Sequence, residues 1–383
     1  MSIAKKLGLL PSKRSMELFG DEPPLVRLGV RITFYCNLAC TYCSADSTLL
    51  RRREVPRGQI IDTPLFKSAL EQARDLGAVV LEITGGEPFL YKDLLEVLKY
   101  ADDLGYITLL ATNGTLINEE SARVLAKLDG LNNLQITLDG STPQVHSYTR
   151  GPTFRRVIKT LELLKRYEVP VIINTVVNKM NIHDIENIAT LSKKLGAKLY
   201  KVSLIACAGR GEAARRDIGI TLEDTINLAK RVHALFLEFR GEMMVGLTGP
   251  PYLMSEDMRC ELREVSMCNV LIHAGLDFKG RIGPCTYYLG PGKCYELGNL
   301  KAQRLEDIWY SERFKDFRRN FIKEYKSIEQ IPPCSACICR EECYGVCPAE
   351  AFQRAGRWAM PPDLCQELYS RREYRWIVTK GLF

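Results

Sequence analysis

Cysteine is the residue type whose number and spacing suggest chemistry in this chain. The sequence contains 14 cysteines, and three of them form the pattern Cys36-x3-Cys40-x2-Cys43. Ten others lie between positions 260 and 365, and Cys207 stands apart from both groups. Because a cytosolic chain rarely keeps structural disulfides, cysteines clustered in this way indicate metal binding or redox chemistry.

The first group has a spacing that suits an iron–sulfur cluster. Thiolates from Cys36, Cys40 and Cys43 are enough to hold three corners of a cubane cluster. A fourth protein ligand is missing nearby, which would leave one iron open to a substrate, as in catalytic metal sites. On spacing alone, a zinc knuckle or a buried cysteine patch is an open alternative.

The C-terminal cysteines form a longer pattern. It reads C-x2-C-x5-C-x3-C from Cys334 to Cys347, and Cys365 follows it. Taken alone, the Cys-x2-Cys pair would favour a zinc ribbon. Three further cysteines stand upstream of the run: Cys260, Cys268 and Cys285.

Alternating apolar and amphipathic stretches must position the first group. Six apolar, β-rich runs predict strands at residues 28–34, 79–84, 107–111, 134–138, 171–177 and 199–205. Helical patterns lie between them at residues 64–76, 91–104, 118–129, 153–167 and 183–196. Repeated βα units predict an α/β fold with a parallel sheet, either doubly wound or closed into a full or partial barrel.

In such folds the active site lies at the C-terminal ends of the strands. The cysteine triplet follows the first predicted strand, and Gly85-Gly86-Glu87-Pro88 follows the second. We therefore expect both segments at the same functional edge of the sheet.

The βα rhythm stops after Gly249-Pro250-Pro251. Before that point, residues 221–239 predict one more helix. Beyond it, residues 272–284 predict a hairpin that turns at Lys279-Gly280, within a region rich in Cys, Gly and Tyr. With 383 residues to divide, we predict an N-terminal extension at 1–25, a core at 26–240 and a small cysteine-rich α+β domain at 241–383.

Composition excludes several classes of protein. Hydrophobic residues make up 46% of the chain and charged residues 26%, which is ordinary globular composition. The net charge of +7 is mild and spread along the chain, so we expect no nucleic acid partner. No apolar run is long enough to span a bilayer, and residues 1–15 lack a secretory signal, so we expect a cytoplasmic protein without a membrane partner.

The segment Arg31–Cys43, taken together with the Gly-Gly-Glu-Pro turn, resembles the radical S-adenosylmethionine (SAM) superfamily. The signature of that family is C-x3-C-x2-C with an aromatic residue before the last cysteine, here Tyr42. The resemblance implies a partial (β/α)6 TIM-like barrel and a [4Fe–4S] cluster on the three cysteines. It also implies that the open iron binds SAM, whose reductive cleavage yields a 5′-deoxyadenosyl radical that abstracts hydrogen from a substrate.

Further elements of that family imply contacts to SAM. Thr112-Asn113-Gly114 would place Asn113 at the ribose, and Thr137 takes the place of a serine that bonds the SAM carboxylate. Arg150 would pair with the same carboxylate or be a surface arginine, and Glu87 would contact SAM or serve only its own loop. Asn174 would contact the ribose or bond within the sheet. The SAM-binding set implied by the resemblance is Tyr42, Gly85, Gly86, Glu87, Pro88, Asn113, Thr137 and Arg150.

The C-terminal cysteines resemble the SPASM extension of radical SAM enzymes, which implies two auxiliary [4Fe–4S] clusters. In the SPASM arrangement the last cysteine of the run crosses over to the first auxiliary cluster. The ligands implied for the first auxiliary cluster are Cys260, Cys268, Cys285 and Cys347. The ligands implied for the second are Cys334, Cys337, Cys343 and Cys365. Cys294 is the substitute if Cys260 is not a ligand, and Cys207 and Cys339 remain as buried thiols.

The SPASM resemblance implies a peptide or protein maturase that crosslinks, oxidises or decarboxylates a side chain. The alternatives are oxidative decarboxylation of tetrapyrrole propionates, modification of another small molecule, an iron–sulfur electron carrier and a zinc-binding module. Arg210, Arg215 and Arg216 could pair with carboxylates of an acidic peptide or a tetrapyrrole. Thr286 stands where enzymes that oxidise a sulfatase residue carry an aspartate, which makes that activity less favoured.

Several partners follow from this chemistry. The one-electron step implies a donor such as ferredoxin or flavodoxin, and an exposed cluster implies that the enzyme works anaerobically. Only about 25 residues precede the first predicted strand, too few for a precursor-recognition domain. We therefore expect either direct binding of a peptide or small-molecule substrate or a separate peptide-recognition protein.

Overall fold

The computed structural model describes residues 20–51, 54–266, 270–290, 294–340, 343, 345 and 347–383. Two of the predicted features lie outside these ranges. Cys268, a predicted cluster ligand, is one of them, and most of the N-terminal extension at 1–25 is the other.

The strands of the described residues are β1 Arg27–Arg31, β2 Tyr35–Cys36, β3 Thr48–Leu49, β4 Val80–Thr84, β5 Ile107–Thr112, β6 Leu131–Thr137, β7 Val171–Val176, β8 Leu199–Ser203, β9 Met244–Thr248, β10 His273–Asp277, β11 Arg281–Gly283 and β12 Gly298–Asn299. The main sheet joins ten of them in the order β12-β11-β10-β1-β4-β5-β6-β7-β8-β9. Within it, all neighbours from β10 to β9 pair in parallel, whereas β11 pairs antiparallel with β10 and β12 antiparallel with β11.

Helices cover one face of this sheet and build the C-terminal region. The α-helices are α1 Thr63–Asp75, α2 Leu94–Asp103, α3 Glu119–Leu125, α4 Pro143–Arg150, α5 Phe154–Arg166, α6 Ile185–Lys194, α7 Gly211–Ile218, α8 Leu222–Glu238, α9 Glu256–Ser266, α10 Leu305–Trp309, α11 Glu312–Ile328, α12 Pro348–Ala355, α13 Asp363–Ser370 and α14 Arg375–Lys380. Short 3-10 helices lie at Pro88–Leu90, Ile182–Asp184, Pro251–Leu253, Thr286–Leu289 and Cys334–Ala336.

The strand residues alternate between a helix-covered core and an interior cavity. On β1, Leu28 and Val30 are fully buried in the apolar core, while Arg27 lines the cavity on the other face. The same alternation puts Leu81 in the core and Glu82 at the cavity on β4. A period of two is what a pleated strand dictates, so apolar residues pack under the helices and polar ones collect inside.

The α/β fold with a parallel sheet, predicted from the sequence, is confirmed. All six predicted strands and the helices between them overlap observed elements. The predicted hairpin is formed by β10 and β11, which turn at Gly280 with φ of +85°. Two parallel strands were not predicted in the sheet: β9 extends it beyond β8, and β10 pairs with β1. Because both lie after residue 240, the sheet continues across the predicted boundary.

Candidate active site

The three cysteines of the first group lie on one loop after β1. Pairing of β2 with β3 closes this loop at its base, where Leu50 N donates to the carbonyl oxygen of Cys36 at 2.7 Å. Backbone N–H groups also point at two of the sulfurs: Leu38 N lies 3.4 Å from Cys36 Sγ and Ser47 N lies 3.5 Å from Cys43 Sγ. Such donors stabilise a thiolate, the form that binds metal.

Burial keeps the first two thiols protonated in the absence of metal. It raises the pKa of Cys36 to about 12 and raises that of Cys40. In the described part of the chain, the structure contains no group of three or more His, Cys, Asp or Glu side chains close enough together to hold a metal ion. A bound metal deprotonates its thiol ligands, so cluster assembly would reverse these shifts and draw the sulfurs together.

The Gly-Gly-Glu-Pro turn holds the cysteine loop by its backbone. Gly86 N donates to the carbonyl oxygen of Thr33 at 2.8 Å, and Glu87 N donates to that of Tyr35 at 2.9 Å. A Cβ atom on Gly86 would overlap the carbonyl group of Tyr35, and one on Gly85 would lie 2.9 Å from Thr33 O. The two glycines are therefore needed for close approach of two backbones.

The Glu87 side chain is hydrogen-bonded to protein groups. It has no exposed surface, and it accepts hydrogen bonds from Phe89 N at 3.0 Å, Thr112 Oγ1 at 2.6 Å and Asn113 N at 2.8 Å. These bonds favour the alternative in which the Glu87 carboxylate stabilises the local structure and does not contact SAM. We propose that its side chain ties the Gly-Gly-Glu-Pro turn to the end of β5 and leaves SAM contacts to the backbone.

Asn113 is also occupied by protein partners. Its Nδ2 donates to Asn37 Oδ1 at 2.8 Å and points at Cys36 Sγ at 3.7 Å, while its Oδ1 accepts from Thr115 N at 2.9 Å. These bonds make Asn113 a positioning residue for the cysteine loop, and its contact with the ribose of SAM stays a prediction. Asn37, which no motif had indicated, is its partner inside the loop.

Tyr42, Asp139 and Arg150 form a buried network behind the cysteine loop. The Tyr42 hydroxyl donates to Asp139 Oδ2 and accepts from Arg150 Nη1 at 3.1 Å. Asp139 also accepts from Thr149 Oγ1 at 2.9 Å and from Val176 N at 3.0 Å. Burial raises the pKa of Tyr42, so the phenol stays a donor. Asp139 was not among the predicted site residues, although it belongs to the motif that drew attention to Thr137.

Arg150 is well placed for an anion. It ends α4 and is buried, which excludes the alternative of a surface arginine. Its Nε is buried and has no hydrogen-bond partner among the residues that the structure describes, and its charge interacts with the Cys40 thiol. An unpaired buried donor is costly unless a ligand satisfies it, so this residue fits the carboxylate of SAM.

Thr137 ends β6, at the same edge of the sheet. Asn174 accepts from Ser203 Oγ at 2.7 Å, which favours its role within the sheet.

We predict that Arg150→Met weakens SAM binding by roughly 10- to 100-fold, because a hydrogen bond to a charged group contributes about 1.5–3 kcal/mol. Equilibrium dialysis of SAM against anaerobically reconstituted protein measures this directly. Arg156→Met, at an exposed position of α5, is the matched control. Equal SAM affinity in the two variants would remove Arg150 from the proposed site.

Arg210 clamps the cysteine loop from the other side. Its Nε donates to Cys40 O at 3.1 Å, and its Nη1 donates to Asp46 Oδ1 and to Ser47 O, both at 2.9 Å. These bonds give Arg210 a role in holding the loop, and its pairing with substrate carboxylates stays a prediction. Arg215 likewise has protein partners, since it donates to Cys207 Sγ and lies 3.5 Å from Asp363.

The four cysteines assigned to the second auxiliary cluster line one cavity. Its volume is about 30 Å3, and Tyr252 closes one side with a hydrogen bond from its hydroxyl to Cys365 Sγ at 2.9 Å. Burial, together with the charges of neighbouring thiols, raises the pKa of Cys334 to about 11 and that of Cys343 to about 12. Mutually repelling buried thiolates need a cation between them, so this donor set fits a metal cluster. The cysteines lining it are Cys334, Cys337, Cys343 and Cys365.

Two of the ligands assigned to the first auxiliary cluster flank one tyrosine. The charges of both Cys285 and Cys347 act on Tyr287. Cys347 is the N-cap residue of α12, and burial raises its pKa while the backbone N–H groups of Ala349 and Glu350 act in the opposite direction. Cys260 is exposed on α9. The substitute Cys294 is also exposed and accepts from Arg281 Nη1 at 3.3 Å. We propose Cys285 and Cys347 as one half of this site.

Arg31, which the sequence did not single out, is a buried cation that lies between the two cysteine groups. Its Nη2 donates to Thr286 O at 3.1 Å, and the charges of Cys43 and Cys285 both act on it. Burial lowers its pKa, and its Nε and Nη1 find no hydrogen-bond partner within the described ranges. No spacing rule selects such a residue, because it lies on the sheet and its neighbours come from distant segments.

We predict that Cys337→Ala preserves SAM cleavage but abolishes substrate turnover, because it removes a ligand from the second auxiliary group only. Quantifying 5′-deoxyadenosine and product in the same reaction separates the two effects. Cys339→Ala, a neighbouring buried cysteine outside the assigned ligands, is the matched control. Normal product formation by Cys337→Ala would refute the role of this cluster.

Comparison with known families supports the resemblance seen in the sequence. Residues 30–192 match the family described as the Radical SAM superfamily, and residues 268–338 match SPASM, described as an iron–sulfur cluster-binding domain. The fold and the two cysteine groups thus define an enzyme built from these two modules. The chain belongs to the radical SAM superfamily and carries a C-terminal SPASM domain. The two domains imply [4Fe–4S] clusters and SAM binding.

Curated relatives align with nearly the whole chain. An AdoMet-dependent heme synthase of Methanosarcina barkeri is 28% identical over 87% of this chain and 94% of its own length. One from Oleidesulfovibrio alaskensis is 28% identical over 94% of this chain and 91% of its own length. A PqqA peptide cyclase of Rhizobium meliloti is 24% identical over 93% of this chain and 90% of its own length.

Solved structures share the fold. SuiB of Streptococcus suis bound to S-adenosylmethionine superposes with a TM-score of 0.70 at 21% identity, covering 92% of this chain and 80% of SuiB. The enzyme anSMEcpe with bound AdoMet and a peptide has a TM-score of 0.67 at 20% identity, covering 92% of this chain and 97% of that one. Among the helices of the described residues, none has the length and apolar character needed to cross a membrane.

Proposed function

We propose that this enzyme oxidatively decarboxylates propionate side chains of a tetrapyrrole. The observation that carries this proposal is the name shared by three curated relatives, AdoMet-dependent heme synthase, each aligned over most of both chains. At 25–28% identity these relatives indicate the reaction class, and the substrate is the part that needs testing.

When bound, the reduced cluster and SAM supply a carbon-centred radical that takes one hydrogen atom from the substrate. For a propionate, removal of hydrogen from the carbon next to the ring, followed by loss of carbon dioxide and one electron, leaves a vinyl group. That electron needs an acceptor. Cys334, Cys337, Cys343 and Cys365 line one buried cavity, and an auxiliary cluster held there would supply such an acceptor.

The second candidate is a peptide or protein maturase, the leading prediction from the sequence. A specific observation supports it: the relative from Rhizobium meliloti is named PqqA peptide cyclase and aligns with most of the chain. The fold is also shared with SuiB bound to its precursor peptide SuiA. We also propose that ferredoxin or flavodoxin donates the electron. A peptide substrate would be presented by a separate peptide-recognition protein or bound directly.

Anaerobically reconstituted enzyme, given SAM and a strong reductant, tests the proposal when challenged with an iron porphyrin that bears propionates. We expect one 5′-deoxyadenosine for each vinyl group formed, measured by liquid chromatography with mass spectrometry. An unchanged porphyrin, with 5′-deoxyadenosine stimulated by a peptide instead, would replace the proposal with the maturase. No 5′-deoxyadenosine with any substrate would favour the electron carrier.

A further inference from the structure

A cavity of about 280 Å3 lies inside the curved sheet, below the C-terminal strand ends. Small-molecule sites in proteins usually have volumes of about 300 to 1,000 Å3, so this space suits a side chain or one arm of a ligand better than a whole macrocycle. Its polar and charged lining includes Arg27, Glu82, Asn133, Gln135, Lys201 and Thr248.

Two of the charged groups in this cavity neutralise each other. Arg27 Nη1 lies 2.6 Å from Glu82 Oε1, and both side chains are only partly exposed. His273 Nε2 lies 3.7 Å from the other oxygen of Glu82, but burial lowers the pKa of this histidine to about 4, so it is neutral near pH 7. The Arg27–Glu82 pair therefore leaves no net charge for a ligand.

Lys201 is the remaining charged residue of the lining. It lies on β8 in register with Asn174 and Gly246, and it has no ion pair or side-chain hydrogen bond within the residues that the structure describes. Burial lowers its pKa, and the charge of Glu82 acts in the opposite direction. A cation partly removed from water without a partner destabilises a fold. A bound anion would offset that cost.

The upper end of the cavity reaches the cysteine loop. Tyr287 lines the cavity, and its hydroxyl lies 3.4 Å from Ser44 Oγ, next to Cys43. Lys201 lies two residues before the last residue of β8, Ser203. At about 3.3 Å for each strand residue, it is about 7 Å below the edge where SAM would bind. A group anchored on Lys201 would extend upward toward that edge.

We propose that this cavity binds the carboxylate-bearing arm of the substrate, with Lys201 as the counter-ion of the carboxylate. The proposal deepens the proposed function and rests on it for the identity of the arm. A tetrapyrrole propionate and an acidic peptide side chain share this chemistry, since each carries a carboxylate at the end of a short methylene chain.

Binding measured without turnover tests this proposal. An iron porphyrin with propionate side chains and its methyl ester are titrated into reconstituted wild-type enzyme and Lys201→Met, and absorbance reports the Kd. We expect wild type to prefer the acid and Lys201→Met to lose roughly 10- to 100-fold in affinity for it, with no comparable change for the ester. Lys201→Arg, which keeps the charge, should retain the preference. Lys198→Met, at an exposed position just before β8, is the matched control.

The outcomes separate this inference from the proposed function. If Lys201→Met still prefers the acid as strongly as wild type, the inference is overturned even when the porphyrin is decarboxylated. Two short peptides, identical except that one carries Glu where the other carries Gln, are titrated in parallel. If only the Glu peptide binds and Lys201→Met removes that binding, the inference stands while the tetrapyrrole function fails. Thermal melts should show Lys201→Met to be no less stable than wild type.

Discussion

Cys43→Ala is expected to reduce SAM cleavage below detection while the rest of the chain folds and assembles its other clusters. Cys43 is one of three proposed ligands on a single loop, and two thiolates alone do not hold a cubane cluster with an open iron. Its side chain is only partly buried, so its removal costs about 1 kcal/mol of stability. The loop keeps its backbone bonds, since Arg210 N and Asp46 N both donate to Cys43 O at 3.1 Å.

Two measurements check this expectation. The first is 5′-deoxyadenosine formed from SAM under strong reductant, and the second is iron bound to each chain after anaerobic reconstitution. If the chain holds three clusters of equal size, iron should fall by about a third. Cys207→Ala provides the control, because Cys207 is also a buried cysteine outside the assigned ligands. Retained SAM cleavage in Cys43→Ala would overturn the assignment of the first cysteine group.

Local sequence pattern predicted the elements that place this loop. The run that became β7 is largely apolar because this parallel strand is buried on both faces, and that signal needs no knowledge of neighbours. The rule that parallel strands present their C-terminal ends to one edge then brings the cysteine loop and the Gly-Gly-Glu-Pro turn together. The structure confirms this through the bonds from Gly86 and Glu87 to Thr33 and Tyr35.

Long-range partnerships could not be predicted in the same way. Tyr42 bonds Asp139, which is 97 positions away, and Asn37 bonds Asn113 across 76 positions. Such pairs depend on strand order and register, which a single sequence does not specify. The cavity around Lys201 could not be predicted for the same reason, because its lining residues come from many strands and none stands out within its own segment. Strand β9, at Met244–Thr248, was not predicted.

Gly86→Ala is expected to prevent assembly of the first cluster without touching a cysteine. The added Cβ would overlap the carbonyl group of Tyr35 and lie 2.9 Å from Cys36 N. These are backbone atoms, which cannot rotate away as a side chain does, so the loop that carries Cys36 must move. Overpacking of this kind costs typically about 1–3 kcal/mol, and here the displaced segment is the ligand loop itself.

Two matched Gly-to-Ala variants separate a local effect from general destabilisation. Gly249→Ala adds a Cβ whose nearest neighbours lie 3.9 Å away, so it should behave as wild type. Gly130→Ala would overlap the carbonyl group of Tyr106, at the other end of the sheet, so it should lower the melting temperature and still cleave SAM. Iron content, melting temperature and 5′-deoxyadenosine are measured for all three.

The expected pattern is loss of SAM cleavage in Gly86→Ala alone, at a melting temperature no lower than that of Gly130→Ala. That result would mean that the turn contributes to catalysis by setting the position of the cysteine loop, since its glycines allow a backbone approach that no other residue permits. If Gly86→Ala instead cleaves SAM at the wild-type rate, the loop tolerates displacement and the close packing of the two backbones is not needed for the cluster.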